Sequence, residues 1–217
     1  MKALLVANEF LDREMEVQAL RGQGRNDVAL WDRLNVAFEY LQAHIAGKAT
    51  NKYTLSEIDL VLVSNFKGGN ASITEPKATL DNKLSVYSRQ LAVIGRFLGD
   101  KSLNSLTVDE LAQLKSLASD FLMLTVNDET AVRGFRSSYA SALLAGYFPN
   151  VLPVLDRRVL QTAQIKYDED SQGQAKRIYL HYPELIGKCY EALRASPGTT
   201  LRELDKKLFG SDRPSVN

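Results

Sequence analysis

Leu80, Leu84, Tyr87, Leu91, Ile94 and Leu98 recur at alternating intervals of four and three residues. A period close to 3.6 puts all six on one face of a helix. The same period returns in Trp31, Leu34, Phe38, Leu41 and Ile45, and again in Leu111, Leu114, Ala118 and Phe121 with Leu122 beside them. It appears once more in Leu185, Ile186, Cys189, Tyr190 and Leu193, and finally in Leu201, Leu204 and Leu208. An apolar stripe must be buried against another element. Stripes this frequent therefore predict an all-α fold of eight or so helices.

Local chemistry punctuates the pattern. Thr54-x-x-Glu57, Thr107-x-x-Glu110 and Thr200-x-x-Glu203 have the form of capping boxes, in which a hydroxyl and a later carboxylate each satisfy a backbone N–H. Pro183 suits a first helical position, where its missing N–H costs nothing. Gly47, Gly68-Gly69, Gly99 and Pro197-Gly198 mark helix ends. Strand signals are weak: residues 3–7 read as a short strand, whereas residues 60–63 follow a cap and read as helix. Residues 22–27 and 167–174 are polar connectors, residues 67–77 form a loop, and residues 211–217 are expected to fray. The 217 residues predict one helical domain, with room for two lobes around a cleft.

The balance of 27 Lys+Arg against 26 Asp+Glu leaves a formal charge of +1, so any nucleic-acid surface must be local rather than global. A single cysteine, Cys189, cannot form an intramolecular disulfide and suits a reducing compartment. Together with two histidines it leaves little material for a zinc site, and neither metal nor cofactor is expected. Cys189 falls in an apolar stripe and reads as packing; His44, near a helix end, reads as a cation at the negative dipole end. The opening apolar run is broken by Asn8 and Glu9, too short for a signal peptide's core. No run approaches the roughly 18 apolar residues of a membrane span. A cytoplasmic protein with no membrane contact and no obligate protein partner is expected. The nucleophile-elbow, P-loop, dinucleotide and zinc-protease motifs are all missing from the sequence.

One segment carries chemistry. After a glycine turn at Gly134 comes a helix of small and apolar residues, 137–145, then Phe148-Pro149-Asn150 and the apolar stretch Val151-Leu-Pro-Val-Leu-Asp156, with Arg157 and Arg158 opening the next helix. An Asp at a helix start caps backbone N–H groups and faces the positive dipole end. Such a structural role for Asp156 stands beside any catalytic one.

The segment resembles the helix-hairpin-helix DNA glycosylases, the superfamily of the endonuclease III, adenine and 8-oxoguanine glycosylases. The family's signature is a glycine-containing hairpin, a helix, and a Pro-containing apolar stretch that ends in the catalytic Asp. Phe148-Pro-Asn-Val-Leu-Pro-Val-Leu-Asp-Arg-Arg-Val159 is most similar to the corresponding stretch of small bacterial glycosylase-like proteins. The resemblance covers about thirty residues and implies an all-α, glycosylase-like domain with a helix-hairpin-helix element. Ser138 lies eighteen residues before Asp156, where bifunctional members carry a lyase lysine. The resemblance thus implies a monofunctional hydrolase acting on double-stranded DNA with a flipped base. Only Gly134 of the two hairpin glycines is present, with Arg136 in the second place. Side chains of Arg133 and Arg136 would then supply phosphate contacts that the family draws from its hairpin backbone. No cysteine cluster accompanies the segment, so no iron–sulfur module is implied.

Cleaving an N-glycosidic bond builds positive charge on the sugar, which a carboxylate held nearby stabilises while it activates water. Asp156 is the residue expected in that role. A probing loop is expected at Asn65-Phe66-Lys67-Gly68-Gly69, with Phe66 as wedge, Lys67 on a phosphate and the glycines allowing close backbone approach. Its alternative is a plain helix C-terminus. Gly134, Arg133, Arg136, Arg157 and Arg158 make up the remaining candidate DNA contacts. Tyr139 and Tyr147 are pocket candidates or core residues. The competing functions are a non-catalytic DNA-binding module of the same fold, or an antiviral defence-associated helical protein in which Asp156 only caps.

Overall fold

The computed structural model describes residues 27–69 and 71–210. The expected strand at residues 3–7, the connector at 22–26 and the tail at 211–217 lie outside the described residues. Among those described, eight α-helices follow one another: α1 (Asp27–Gly47), α2 (Glu57–Phe66), α3 (Lys77–Leu98), α4 (Val108–Met123), α5 (Ser137–Tyr147), α6 (Arg157–Thr162), α7 (Tyr182–Ala195) and α8 (Leu201–Gly210). Short 3₁₀ turns at Ala49–Asn51, Leu103–Ser105 and Ile178–His181 join them. The described residues hold no strand, only an isolated antiparallel bridge between Glu169 and Ala175 in the polar connector. None of their helices is long and apolar enough to cross a membrane.

All six stripe residues of α3, from Leu80 to Leu98, are buried, as the spacing requires. Residues 60–63 are helical, inside α2. The capping box at α4 forms, with Glu110 Oε2 accepting the Thr107 N–H at 2.9 Å. At α8 the Thr200 N–H donates to Glu203 Oε2 at 2.7 Å. The first box is displaced. Ser56 rather than Thr54 caps α2, its N–H donating to Asp59 Oδ2 at 2.8 Å. Ser56-x-x-Asp59 has the same capping-box form and is the one that closes, while the Thr54 carbonyl accepts from the Lys48 ammonium at 2.7 Å.

Helix α5 sits at the centre. Its Ala140, Leu143, Leu144, Ala145 and Tyr147 are all buried, and it packs against α1, α2 and α4. A helix apolar on every side belongs in a core. Small residues let its neighbours close in: a Cβ built on Gly146 would lie 2.6 Å from a Leu41 methyl of α1. The buried hydrophobic residues form one cluster that takes in side chains from α1 through α8.

A charged node ties α1, α2 and α5 together. Asp59 is fully buried in α2. Lys48, just past α1, donates to its carboxylate at 2.6 and 2.7 Å. The Tyr147 hydroxyl of α5 donates to Asp59 Oδ1 at 3.0 Å and accepts from Lys48 at 2.8 Å. Burial pushes the Asp59 carboxyl up, but the hydrogen bond from Lys48, the Ser56 N–H and the Lys48 charge outweigh it and hold the carboxyl below its usual range. A carboxyl depressed by folding stabilises the native state above its unfolded pKa of about 3.9 and loses that contribution as pH falls through the folded value. Replacing Asp59 by Asn leaves Lys48 buried without a counter-charge. Urea unfolding of Asp59→Asn at neutral pH is expected to show a loss of about 3–5 kcal/mol, and the gap to wild type should shrink as pH falls below the unfolded value of about 3.9.

Candidate functional site

Asp156 ends a stretch whose every residue from Val151 to Leu155 is buried. The stretch is pinned by hydrogen bonds rather than by regular structure. Ser141 of α5 accepts the Leu155 N–H at 2.9 Å, and its own hydroxyl donates to the Ser138 carbonyl at 2.8 Å. The Tyr182 hydroxyl of α7 donates to the Pro153 carbonyl at 2.9 Å. Asp156 then caps α6, with Oδ1 accepting the Val159 N–H at 3.0 Å. Its second oxygen meets Lys67 Nζ at 3.2 Å. Burial pushes the Asp156 carboxyl up. The Lys67 charge, the Val159 N–H and Arg158 more than compensate, so the group is an anion across the physiological range.

Lys67 reaches Asp156 because α2 stops there. Gly68 and Gly69 follow at φ +92° and +74°, and the Gly69 N–H closes the turn on the Ser64 carbonyl at 2.8 Å. These left-handed positions suit glycine, which has no Cβ to clash. The Lys67 loop and Asp156 form part of the wall of a cleft of about 530 Å³. Trp31 and Tyr40 from α1 and Arg202, Asp205 and Phe209 from α8 complete its chemistry.

The α1–α8 wall is built around a cation. The Arg202 guanidinium lies 4.2 Å from the ring centres of both Trp31 and Phe38 and 5.4 Å from that of Phe66. Asn35 Oδ1 accepts from its Nε and Nη2 at 3.2 and 3.1 Å. Trp31 also packs on Phe209, with ring centres 5.6 Å apart. A guanidinium between aromatic faces is held both by its charge and by its planar shape.

Of the residues expected from sequence, Asp156, Asn65, Phe66, Lys67, Gly68 and Gly69 meet at this cleft. Two of them are placed differently from the expectation. Phe66 is only 4% exposed and packs on Phe38 at 5.0 Å, so it is a core residue rather than a protruding wedge. Lys67 points inward to Asp156 rather than outward as a phosphate contact.

The hairpin residues lie elsewhere. Gly134 is left-handed at φ +84°, but a Cβ there would sit 2.0 Å from the Ser72 carbonyl oxygen. The Arg133 N–H is taken by Glu75 Oε1 at 3.2 Å. The preceding loop thus packs over the turn whose backbone was expected near DNA. Arg133 and Arg136 are exposed on that turn and do not line the cleft. Arg157 donates to the Gly173 carbonyl, and Arg158 lies 5.2 Å from the Phe209 ring centre. Ser138 is linked to the Asp156 stretch through Ser141. Tyr139 packs on Phe135, and Tyr147 belongs to the Asp59 node, so neither is a cleft residue. His44 Nε2 lies 3.5 Å from Asp59 Oδ1, and Cys189 is buried. No cluster of three metal-ligating His, Cys, Asp or Glu side chains occurs among the described residues.

The residues that sequence reading passed over are Arg202, Asp205 and Ser141. Asp205 carried a signal, because it follows Leu201 by four residues and so puts a charge into an apolar stripe. Comparison with protein families, with curated proteins and with solved structures finds no match to this chain. What the site does must therefore be argued from its own groups.

Removing the Lys67 charge should let burial dominate at Asp156. In Lys67→Met the Asp156 carboxyl is expected to titrate above its wild-type position, read from its side-chain carbon shift in an NMR pH series. An unchanged titration would mean that Lys67 does not set the state of the site.

Proposed function

We propose that this protein is a monofunctional DNA glycosylase, or a close relative of one, that hydrolyses the N-glycosidic bond of a damaged or modified base. The observation that carries the proposal is an ionised Asp156 on the wall of an aromatic-lined cleft of about 530 Å³, within the roughly 300–1,000 Å³ typical of small-molecule sites. An extruded base needs such a pocket, with ring faces to stack on. An anion fixed by Lys67, Val159 and the pinned 151–155 stretch supplies negative charge where the sugar becomes positive, without having to reorganise during the reaction. The resemblance of residues 148–159 to the catalytic stretch of the helix-hairpin-helix glycosylases points the same way. Water captures the sugar cation at C1′ and loses its proton toward Asp156.

Asp156 also caps α6. That role favours a second reading, a DNA-binding or defence-associated module without catalysis. One variant separates the two. Asn caps helices about as well as Asp, so Asp156→Asn should keep the fold while losing the charge. Mass spectrometry of bases released from a panel of damaged and modified duplexes is expected to show release by wild type and a loss of at least about 10²-fold in the variant. Equal release by both would overturn the mechanism, and salt-sensitive DNA binding with no release by wild type would favour the second reading.

A further inference from the structure

Resting on that glycosylase reading, we propose that Asp205 is the second catalytic carboxyl of the cleft and donates a proton to the departing base. Its side chain is 6% exposed on a wall of the cleft, and its Oδ1 has no hydrogen-bond partner among the described residues. Arg202 Nη1, on the same wall, is likewise buried without one. Buried polar atoms are nearly always satisfied within a fold. Both residues line the cleft, so these two atoms lie just behind the surface that a bound ligand would meet.

The two carboxyls live in different surroundings. Asp156 has an ammonium at 3.2 Å and a backbone N–H. Asp205 has Arg202 on its own helix at 4.0 Å, the Val154 N–H and, farther off, Lys67; it also faces the Asp156 charge, and Tyr182 and Cys189 of α7. Burial pushes the Asp205 carboxyl up to about 7; Arg202 opposes this and Asp156 adds to it. Two acids whose environments drive them apart divide naturally into a carboxylate and an acid.

The step balances without a further reactant. The C1′–N bond breaks with its electron pair passing to the base, and the base takes the Asp205 proton. Water adds to C1′ and yields its proton toward Asp156, so the products are the free base and a C1′ hydroxyl. Solvent then reprotonates Asp205.

The test uses the full chain on duplexes carrying a neutral base such as 8-oxoguanine and, in parallel, cationic 7-methylguanine, which departs as a neutral molecule without an added proton. A neutral-leaving base should be released by wild type with a rate that declines above pH 7. Asp205→Asn should lose about 10²–10³-fold on that base, together with the declining limb. On 7-methylguanine, the loss in Asp205→Asn should be at least about tenfold smaller than on 8-oxoguanine. Asn removes the cost of ionising a buried acid, so the variant should unfold no earlier than wild type above pH 7. A wild-type pH profile in Asp205→Asn, or equal losses on both bases, overturns the role of Asp205 and leaves the glycosylase standing. Absence of base release by wild type from these duplexes and from the wider panel of damaged and modified duplexes overturns both.

Discussion

A carboxylate that water cannot reach sets the arrangement of this fold. Asp59 is fully buried, and an isolated buried anion is too costly to keep. It is retained because Lys48, just past α1, and Tyr147 of α5 reach it. That requirement fixes α1, α2 and α5 against one another. Everything at the cleft follows from this, since α1 provides the Trp31 wall, α2 ends at Lys67, and α5 carries Ser141, which pins the stretch leading to Asp156.

The cleft is likewise organised by charge placed among rings. Arg202 links α8 to α1 by lying against Trp31 and Phe38, and Lys67 links the end of α2 to Asp156. In each case the apolar stem of the cation packs while its charged head finds a partner on another element. Burial raises both carboxyls, and the cations offset it unequally. Lys67 lies against Asp156 and only distantly affects Asp205, so one acid ionises readily and the other resists.

Much of the helical framework was legible because period and caps are local properties. The α3 stripe, the Thr107 and Thr200 boxes and the glycine stops all depend on residues within one or two turns. The choice of α2 cap was not legible, because Ser56-x-x-Asp59 has the same form as Thr54-x-x-Glu57 and overlaps it, and local pattern does not choose between them. At the site, Asp156 and the Lys67 loop could be named from sequence, but their meeting could not, since 89 residues separate them. Phe66 failed as a wedge for a similar reason: its partner Phe38 comes from another helix. The glycine turn at Gly134 was legible, yet its left-handed backbone and its covering by Ser72 and Glu75 are tertiary facts. Arg202 and Asp205 sit in a stretch rich in charge, where only the interruption of an apolar stripe singles one of them out.

Trp31 is the single tryptophan of the chain. Its ring is held against a guanidinium and shares the cleft wall with Asp205. Indole emission from this molecule therefore originates at one place, and that place is the cleft. The fold thus contains a built-in optical reporter: ligand entry, proton uptake or loosening of α8 each alters the surroundings of the same ring, with no label to introduce and no second indole to subtract.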